Sequence, residues 1–337
     1  MAVFSYSLGC SVARGSSTST STGLRPEYVY EKSHPFTAVH PPIRIVILCQ
    51  ADSWYARDLI RAAGPGDVVV PIGYRELSVA RGPGLRLTAQ PAEGPPQDLA
   101  DFDALLVRSM PLGSLEQVIF RVNTLHAAAS AGLAVINSPR SLEIAIDKWL
   151  TLEVAAARGV AVPRTAVCQN RQQALEAFES LGGDVVVKPL FGGEGRGLMR
   201  VSCIDLAWRV FSTLEVNQSV IYLQEFVPHG GADVRVLVIG RQSHAIRRVN
   251  ERDWRTNIAR GGRAVPYQPS AQELEVAFAA AEAVGAEVAG VDLLAGQDGR
   301  PLLLEVNAVP GWKGLAEALR IDVAAQVLDH VRGKIHS

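Results

Sequence analysis

Lys188 stands at the mouth of the loop Lys188-Pro189-Leu190-Phe191-Gly192-Gly193-Glu194-Gly195-Arg196-Gly197, in which four glycines fall within six residues. Glycines let backbone N–H groups approach a phosphate closely and a lysine adds a point charge, so the loop reads as a phosphate cradle, or more plainly as a hairpin tip. It matches neither the Walker pattern nor the dinucleotide fingerprint. Further on, Arg247-Arg248-Val249-Asn250 and Trp254-Arg255-Thr256-Asn257-Ile258-Ala259-Arg260-Gly261-Gly262 concentrate arginines, whose guanidinium forks match phosphate and carboxylate. A solvated loop is the plainer reading. Two apolar runs, Gly290–Leu294 and Leu302–Asn307, flank the turn Gly296-Gln297-Asp298-Gly299 and read as a hairpin. Side-chain alternation puts Glu305 and Asn307 on one face, and a suitable register turns Asp292 to the same point. Three oxygen donors there suit a hard cation such as Mg²⁺ holding nucleotide phosphates, although acidic hairpins without a metal are common.

Two weaker signals lie between these. Gln224-Glu225-Phe226-Val227 ends an apolar run with a backbone stretch suited to an adenine edge, although an edge-strand carboxylate is the commoner meaning of Glu225. Asp233 and Arg235 are two apart and share a strand face; alone they read as an ordinary surface ion pair. The seven histidines are scattered, and no Ser-His-Asp or Cys-His arrangement is inferred.

The elements that must position these residues begin at Ile43–Leu48, a β-branched run followed by a helical pattern from Ser53 to Ala63. Val68–Val70, Leu85–Ala89, Asp103–Val107, a long helix over about Ser114 to Ala131 and Ala134–Asn137 continue a βαβ series around a mainly parallel sheet, over residues 43–138. Helical signal then runs to Gly159, with Asp147-Lys148 where two short helices meet. Thr165–Cys168, a helix from Arg171, Val185–Lys188, Leu198–Val201 and a helix from Ile204 to Val216 read as a small α+β unit over residues 139–216. Residues 217–335 add strands at Val220–Phe226, Asp233–Ile239 and Ser243–Val249, a helix at Ala271–Val284, and the hairpin.

Residues 1–42 carry Ser16-Ser17-Thr18-Ser19-Thr20-Ser21-Thr22 and His40-Pro41-Pro42, too little apolar surface to offset ordering, and are expected to be a disordered tail. Lys+Arg 33 against Asp+Glu 34 gives a net charge of −1, which points away from nucleic acid and from a membrane surface. No apolar run approaches a spanning helix, and no basic region precedes Val3–Cys10 as in a secretory signal. Cys10, Cys49, Cys168 and Cys203 are too dispersed for a zinc site or disulfide framework, so a cytoplasmic setting is expected.

Taken in order, Asp147-Lys148, Val186-Val187-Lys188-Pro189 with its glycine loop, Gln224-Glu225-Phe226, Asp233-Val234-Arg235, Arg255-Thr256-Asn257 with Gly261-Gly262, Asp292 and Glu305-Val306-Asn307 resemble the ATP-grasp superfamily. Leu304-Glu305-Val306-Asn307-Ala308-Val309-Pro310-Gly311 is similar to the closing motif of RimK-type α-L-glutamate ligases. Val309–Leu315 resembles the branch that adds glutamate to tetrahydromethanopterin or a deazaflavin coenzyme. The resemblance implies a mixed α/β and α+β fold of three lobes: an N-terminal parallel-sheet domain, a small lid and an antiparallel-sheet C-terminal subdomain. It implies ATP, with Lys148, Lys188, Gly193 and Gly195 at the phosphates, Glu225, Phe226 and Val227 at the adenine, and Asp233 at the ribose. The Glu225–Asp233 spacing is about one residue shorter than the family's pattern. Arg255 and Asn257 would meet the γ-phosphate and the reacting carboxylate, Arg108 and Arg247 the substrate, and Asp292, Glu305 and Asn307 a Mg²⁺ or Mn²⁺ ion. The implied activity is ADP-forming ligation of a small-molecule carboxylate to an amino acid, L-glutamate in this branch. A phosphotransferase, another acid–amino-acid ligase and a non-catalytic nucleotide-binding module are the alternatives; a homo-oligomer is compatible with each.

Overall fold

The computed structural model describes residues 41–193 and 195–336. The tail expected over residues 1–42 lies outside the described residues, apart from Pro41 and Pro42. The ordered chain begins with β1 (Arg44–Leu48), α1 (Trp54–Ala62) and β2 (Val68–Ile72). Ser53 caps α1, its hydroxyl accepting the Ala56 N–H. β3 (Leu77–Arg81), β4 (Leu85–Ala89) and β5 (Gln97–Asp98) then form an antiparallel sheet of their own. Leu85–Ala89 thus departs from the expected parallel series: the Gly82-Pro83-Gly84 connection is too short for a crossover and returns β4 against β3. β6 (Ala104–Val107), α2 (Leu115–Ser130) and β7 (Ala134–Ile136) resume the series, with a Ser114–Gln117 capping box starting α2. The parallel sheet has the order β2-β1-β6-β7, which brings the carboxyl ends of β1 and β6 side by side.

α3 (Pro139–Ile146) and α4 (Lys148–Ala156) meet at Asp147. Its carboxylate accepts the N–H groups of Trp149 and Leu150 at 2.9 and 3.0 Å, which fixes Lys148 in the first turn of α4. The lid follows: β8 (Thr165–Cys168), α5 (Arg171–Ser180), β9 (Val185–Lys188), β10 (Met199–Val201), α6 (Ile204–Val216) and β11 (Ile221–Glu225), with sheet order β10-β9-β11-β8. A division after residue 216 therefore splits this sheet. β11 stays in the lid because Ile221 and Leu223 complete the apolar core of Phe178, Val185, Val187 and Phe211.

β12 (Ala232–Ile239), β13 (Gln242–Val249), β14 (Arg263–Pro266), α7 (Ala271–Val284), β15 (Val288–Ala295) and β16 (Pro301–Asn307) lead to α8 (Lys313–Leu319) and α9 (Val323–Ile335). Their antiparallel sheet runs β14-β13-β12-β15-β16. The expected hairpin is β15–β16, closed by Gly296 N–H to Arg300 carbonyl at 2.8 Å. This sheet and the parallel one share a core, in which Ile45, Ile47, Leu59 and Leu106 pack with Leu237, Ile239, Trp312 and Val327. Buried Asn137 stitches the two: its amide donates to the carbonyls of Val288 and Ala308, both at 2.7 Å, and accepts from Glu287 and Val288 N–H at 2.7 and 2.9 Å. Among the described residues no helix is long and apolar enough to cross a membrane.

Candidate active site

The lid and the C-terminal sheet face each other across a cleft of about 860 Å³. The residues expected to bind nucleotide, substrate or metal all line it except Asn307, Arg108 and Arg247. The lid wall begins with Lys188 at the end of β9, its ammonium donating to Gln224 Oε1 at 2.6 Å. Burial pushes this ammonium down to about 8; Glu305 and Asp292 oppose the shift and Lys148 adds to it. Lys148 reaches the same place from α4, donating to the Gly192 carbonyl. Between β9 and β10 the loop turns through left-handed backbone at Gly192, Gly195 and Gly197. A Cβ at Gly195 would lie 2.4 Å from the Asn257 amide oxygen, so a side chain there would prevent the loop from approaching the opposite wall.

The end of β11 holds one side of the cleft. Glu225 uses one carboxylate oxygen on the Arg164 N–H at 2.9 Å, and the Phe226 N–H is bonded to the Asp184 carbonyl. The Val227 N–H has no hydrogen-bond partner among the described residues. Phe226 carries the Arg200 guanidinium on its ring at 3.5 Å and meets Trp254 edge-on at 6.0 Å.

The floor is a row of charges set by strand register. Asp233 lies opposite Arg248, Arg235 opposite Asp292, and Asp292 opposite Glu305, so one face of β13, β12, β15 and β16 carries the row. Arg248 donates Nε to Asp233 at 2.7 Å and Nη2 to both Asp233 and Asp292, the latter at 2.8 Å. Arg235 forks onto Asp292 at 2.6 and 2.7 Å, and the Thr256 hydroxyl donates to Asp233 at 2.6 Å. Asp233, Arg248 and Asp292 are each less than a tenth exposed. Burial would raise the Asp292 carboxyl; Arg235 and Arg248 overcome it and hold the group below the ordinary carboxylate range. Asp233 and Arg235 thus pair with other strands, not on the surface with each other.

The Arg255 loop closes the cleft. Asn250 accepts the Arg252 and Asp253 N–H groups and donates to the Arg255 carbonyl at 2.8 Å, shaping the turn. Arg255 forks onto Asp253 at 2.9 and 2.6 Å. Gly262 is required where it stands, because a Cβ would sit 2.0 Å from the Thr256 carbonyl oxygen.

Three expected site residues do not line the cleft. Arg247 is exposed on the opposite face of β13 from Arg248, beside Tyr267, since neighbours on a strand alternate. Asn307 accepts the Val309 N–H at 2.9 Å and caps the bend after β16. Arg108 follows β6 and is buried, donating to the Pro310 carbonyl at 2.6 Å with its guanidinium 4.0 Å from the Trp312 ring. Burial lowers it to about 10, and among the described residues no carboxylate is bonded to it.

For a metal, the hairpin offers two facing carboxylates and an amide. Among the described residues no cluster of three or more His, Cys, Asp or Glu side chains forms a cation site. The donors are hard oxygens, as Mg²⁺ requires, with Glu305 the one whose carboxylate has no hydrogen bond among the described residues and Asp292 tied to two guanidinium groups.

Comparison with known families places the chain. The model of the RimK-like ATP-grasp domain matches residues 145–331. The chain belongs to the RimK-like ATP-grasp family. The matched span holds every cleft residue above and excludes Arg108. Among its relatives, a tetrahydromethanopterin:alpha-L-glutamate ligase of Methanosarcina acetivorans is 29% identical over 85% of this chain and 98% of its own length. A probable alpha-L-glutamate ligase of Mannheimia succiniciproducens is 31% identical over 87% of this chain and 99% of its own. Among solved structures, a RimK domain ATP-grasp protein of Sphaerobacter thermophilus superposes with a TM-score of 0.66 at 23% identity, over 85% of this chain and 98% of that one. The ATP-grasp ligase PsnB in complex with a minimal precursor gives 0.66 at 24%, over 87% and 99%. This RimK-like chain is therefore an ATP-grasp ligase in kind, with the fold of those structures.

Gln224, Thr256, His229 and Trp254 also line the cleft of this ATP-grasp chain without having been singled out. Arg235 and Arg248 were noticed as charges but not as partners of Asp292. Their signal was the strand register, which places Arg248, Asp233 and Asp292 together only once β12 is known to lie between β13 and β15.

Proposed function

We propose that this ligase activates a carboxylate with ATP and joins it to an amino acid, L-glutamate, releasing ADP and phosphate. The observation that carries the reading is the cleft itself: Lys188, Lys148 and Arg255 gather around glycine-rich backbone and face a floor bearing Asp292 and Glu305. Cationic and anionic walls around one volume suit a polyphosphate and its metal, and among the described residues the cleft lining contains no serine or cysteine nucleophile.

In this reading the adenine rests against Glu225, Phe226 and Val227, and the Val227 N–H serves its edge. Lys148, Lys188 and the loop of Gly193 and Gly195 hold the phosphates. Asp292, Glu305 and Asn307 would hold Mg²⁺, or Mn²⁺ in its place, which supplies charge neutralisation to the phosphates when bound. Asn307 Oδ1 already accepts the Val309 N–H and would offer the metal its second lone pair. Solved PsnB with Mg and ADP supports the assignment through its shared fold. Arg255 and Asn257 orient the γ-phosphate and the incoming carboxylate. A carboxylate oxygen attacks the γ-phosphorus and ADP departs; the amino nitrogen then attacks the acyl carbon and phosphate departs. The lid loop excludes water, which would otherwise hydrolyse the acylphosphate.

The near full-length similarity to the Methanosarcina ligase supports a cofactor acceptor of the tetrahydromethanopterin kind. The test is incubation of the protein with ATP, Mg²⁺, candidate acids and hydroxylamine. Acid-dependent hydroxamate with matching ADP is expected. Phosphate transfer to a hydroxyl acceptor with no hydroxamate would instead establish a phosphotransferase.

A further inference from the structure

We infer that Asp253 is the positioning residue for Arg255: its carboxylate takes the Nε and Nη2 edge of the guanidinium and leaves the Nη1 end to meet a γ-phosphate. Neither the motif order nor the relatives give Asp253 a part, and the inference rests on the reading that the cleft takes ATP.

Asp253 lies in the loop between β13 and β14, two residues before Arg255. That loop is pinned on both sides of the pair. Before it, buried Asn250 bonds its N–H to the Gly231 carbonyl at 2.8 Å, and its amide oxygen accepts the Asp253 N–H at 3.2 Å. After it, the Thr256 hydroxyl is tied to Asp233 at 2.6 Å, and both residues are buried. With the backbone held at either side, the freedom left to Arg255 is that of its long side chain. Asp253 removes it. One carboxylate oxygen accepts the Arg255 N–H at 3.0 Å, and the other accepts Nε at 2.9 Å and Nη2 at 2.6 Å. Among the described residues every hydrogen bond of this carboxylate goes to Arg255.

Arg255 lines the cleft and Asp253 does not, so the carboxylate acts through the guanidinium and not on the ligand. A guanidinium has five N–H donors in a rigid plane, and the fork on Asp253 uses Nε–H and one hydrogen of Nη2. Nη1 has no hydrogen-bond partner among the described residues. With the second Nη2 hydrogen it forms an end-on edge that fits two oxygens of one phosphate. The fork itself holds the Asp253 carboxyl below its ordinary value and the Arg255 guanidinium above its own, so both stay charged at neutral pH. A donor ordered before the ligand arrives stabilises developing charge without having to reorganise.

The test is titration calorimetry of the full chain with Mg²⁺ and either ADP or the non-hydrolysable β,γ-imido analogue of ATP. The unaltered protein should hold the analogue more tightly than ADP, through the γ-phosphate. Asp253→Asn keeps an oxygen for the Arg255 N–H but loses the charged fork. It should weaken the analogue about fivefold to tenfold while ADP affinity stays within about twofold. Asp253→Glu restores a carboxylate and should recover part of the preference. In an Arg255→Met background Asp253→Asn should add nothing, since the two residues act as one unit. Should the asparagine variant fail to fold, Asp253→Ser carries the same comparison. Equal weakening of both nucleotides marks a purely structural part, and tighter binding of the analogue marks a carboxylate that competes with phosphate. Either result overturns the inference and leaves the nucleotide reading intact, as does a preference that is unchanged by the substitution or missing from the unaltered protein. Failure of the unaltered protein to bind either nucleotide overturns both.

Discussion

Replacing Arg248 by methionine removes one buried cation that serves two carboxylates. Asp292 keeps Arg235, but Asp233 is left with the Thr256 hydroxyl alone in a place less than a tenth exposed. Breaking a buried pair by deleting one partner costs about 3–5 kcal/mol, because the remaining charge stays desolvated. For a chain of this size each kcal/mol lowers the melting temperature by roughly 2–4 °C, so a fall of about 6–20 °C at pH 7 is expected. The pH dependence checks the cause. In the native protein the Asp292 carboxyl is held down, so its contribution is present above the ordinary carboxylate pKa and is lost as pH falls through the lowered value. In the variant, burial meets only one opposing guanidinium at Asp292, and that carboxyl accepts a proton more readily. The gap between the two melting curves should therefore be widest at neutral pH and narrow toward pH 4. Calorimetric scans from pH 4 to 8 measure it. A variant that melts within about 2 °C of the native protein at pH 7, or a gap that does not change with pH, would refute the view that the row of charges depends on Arg248.

Gly195→Ala places a Cβ against the Asn257 amide on left-handed backbone, so turnover should fall at least about tenfold while the melting temperature moves little, read by steady-state ADP release beside a thermal scan. Lys188, with its ammonium lowered to about 8, should make nucleotide affinity decline as pH rises through that value, since phosphates require the protonated form. Calorimetry in buffers of different ionisation enthalpy should show proton uptake on binding near pH 8, and Lys188→Met should bind more weakly with no such uptake.

Local signals were strong wherever the chain obeys a single period. The helices at Ile204–Val216 and Ala271–Val284 and the strands Thr165–Cys168 and Val185–Lys188 have the bounds that their apolar spacing and caps dictate. Ser270 with Glu273 and Gly285 fixes both ends of α7. What sequence could not supply was partnership between strands. Ile221–Glu225 reads equally well as a strand of either sheet, and its place in the lid depends on the core formed with Phe178 and Phe211. The same limit applied to the site. The residue types at Lys188, Asp292 and Glu305 announced phosphate and metal chemistry, whereas the roles of Arg248 and Arg247 differ only by which face of β13 each occupies. Arg108 looked like a substrate contact by its position after a parallel strand, yet the nearby Trp312 and Pro310 bury it.

The stitching around Asn137 bears on how such ligases can change acceptor. The parallel sheet is bound to the β15–β16 hairpin and the bend after it by four Asn137 hydrogen bonds, by Arg108 on Pro310 and by Trp312 Nε1 on Asp58 at 3.0 Å. Trimming the chain to the lid and C-terminal sheet would leave bare the apolar face that Ile45, Leu59 and Leu106 now cover, and would uncap the backbone at Glu287–Val288. The first lobe is thus not an exchangeable cassette. A graft from a relative would have to bring its own counterpart of the Pro310–Trp312 bend, so that specificity and the reacting centre are inherited together.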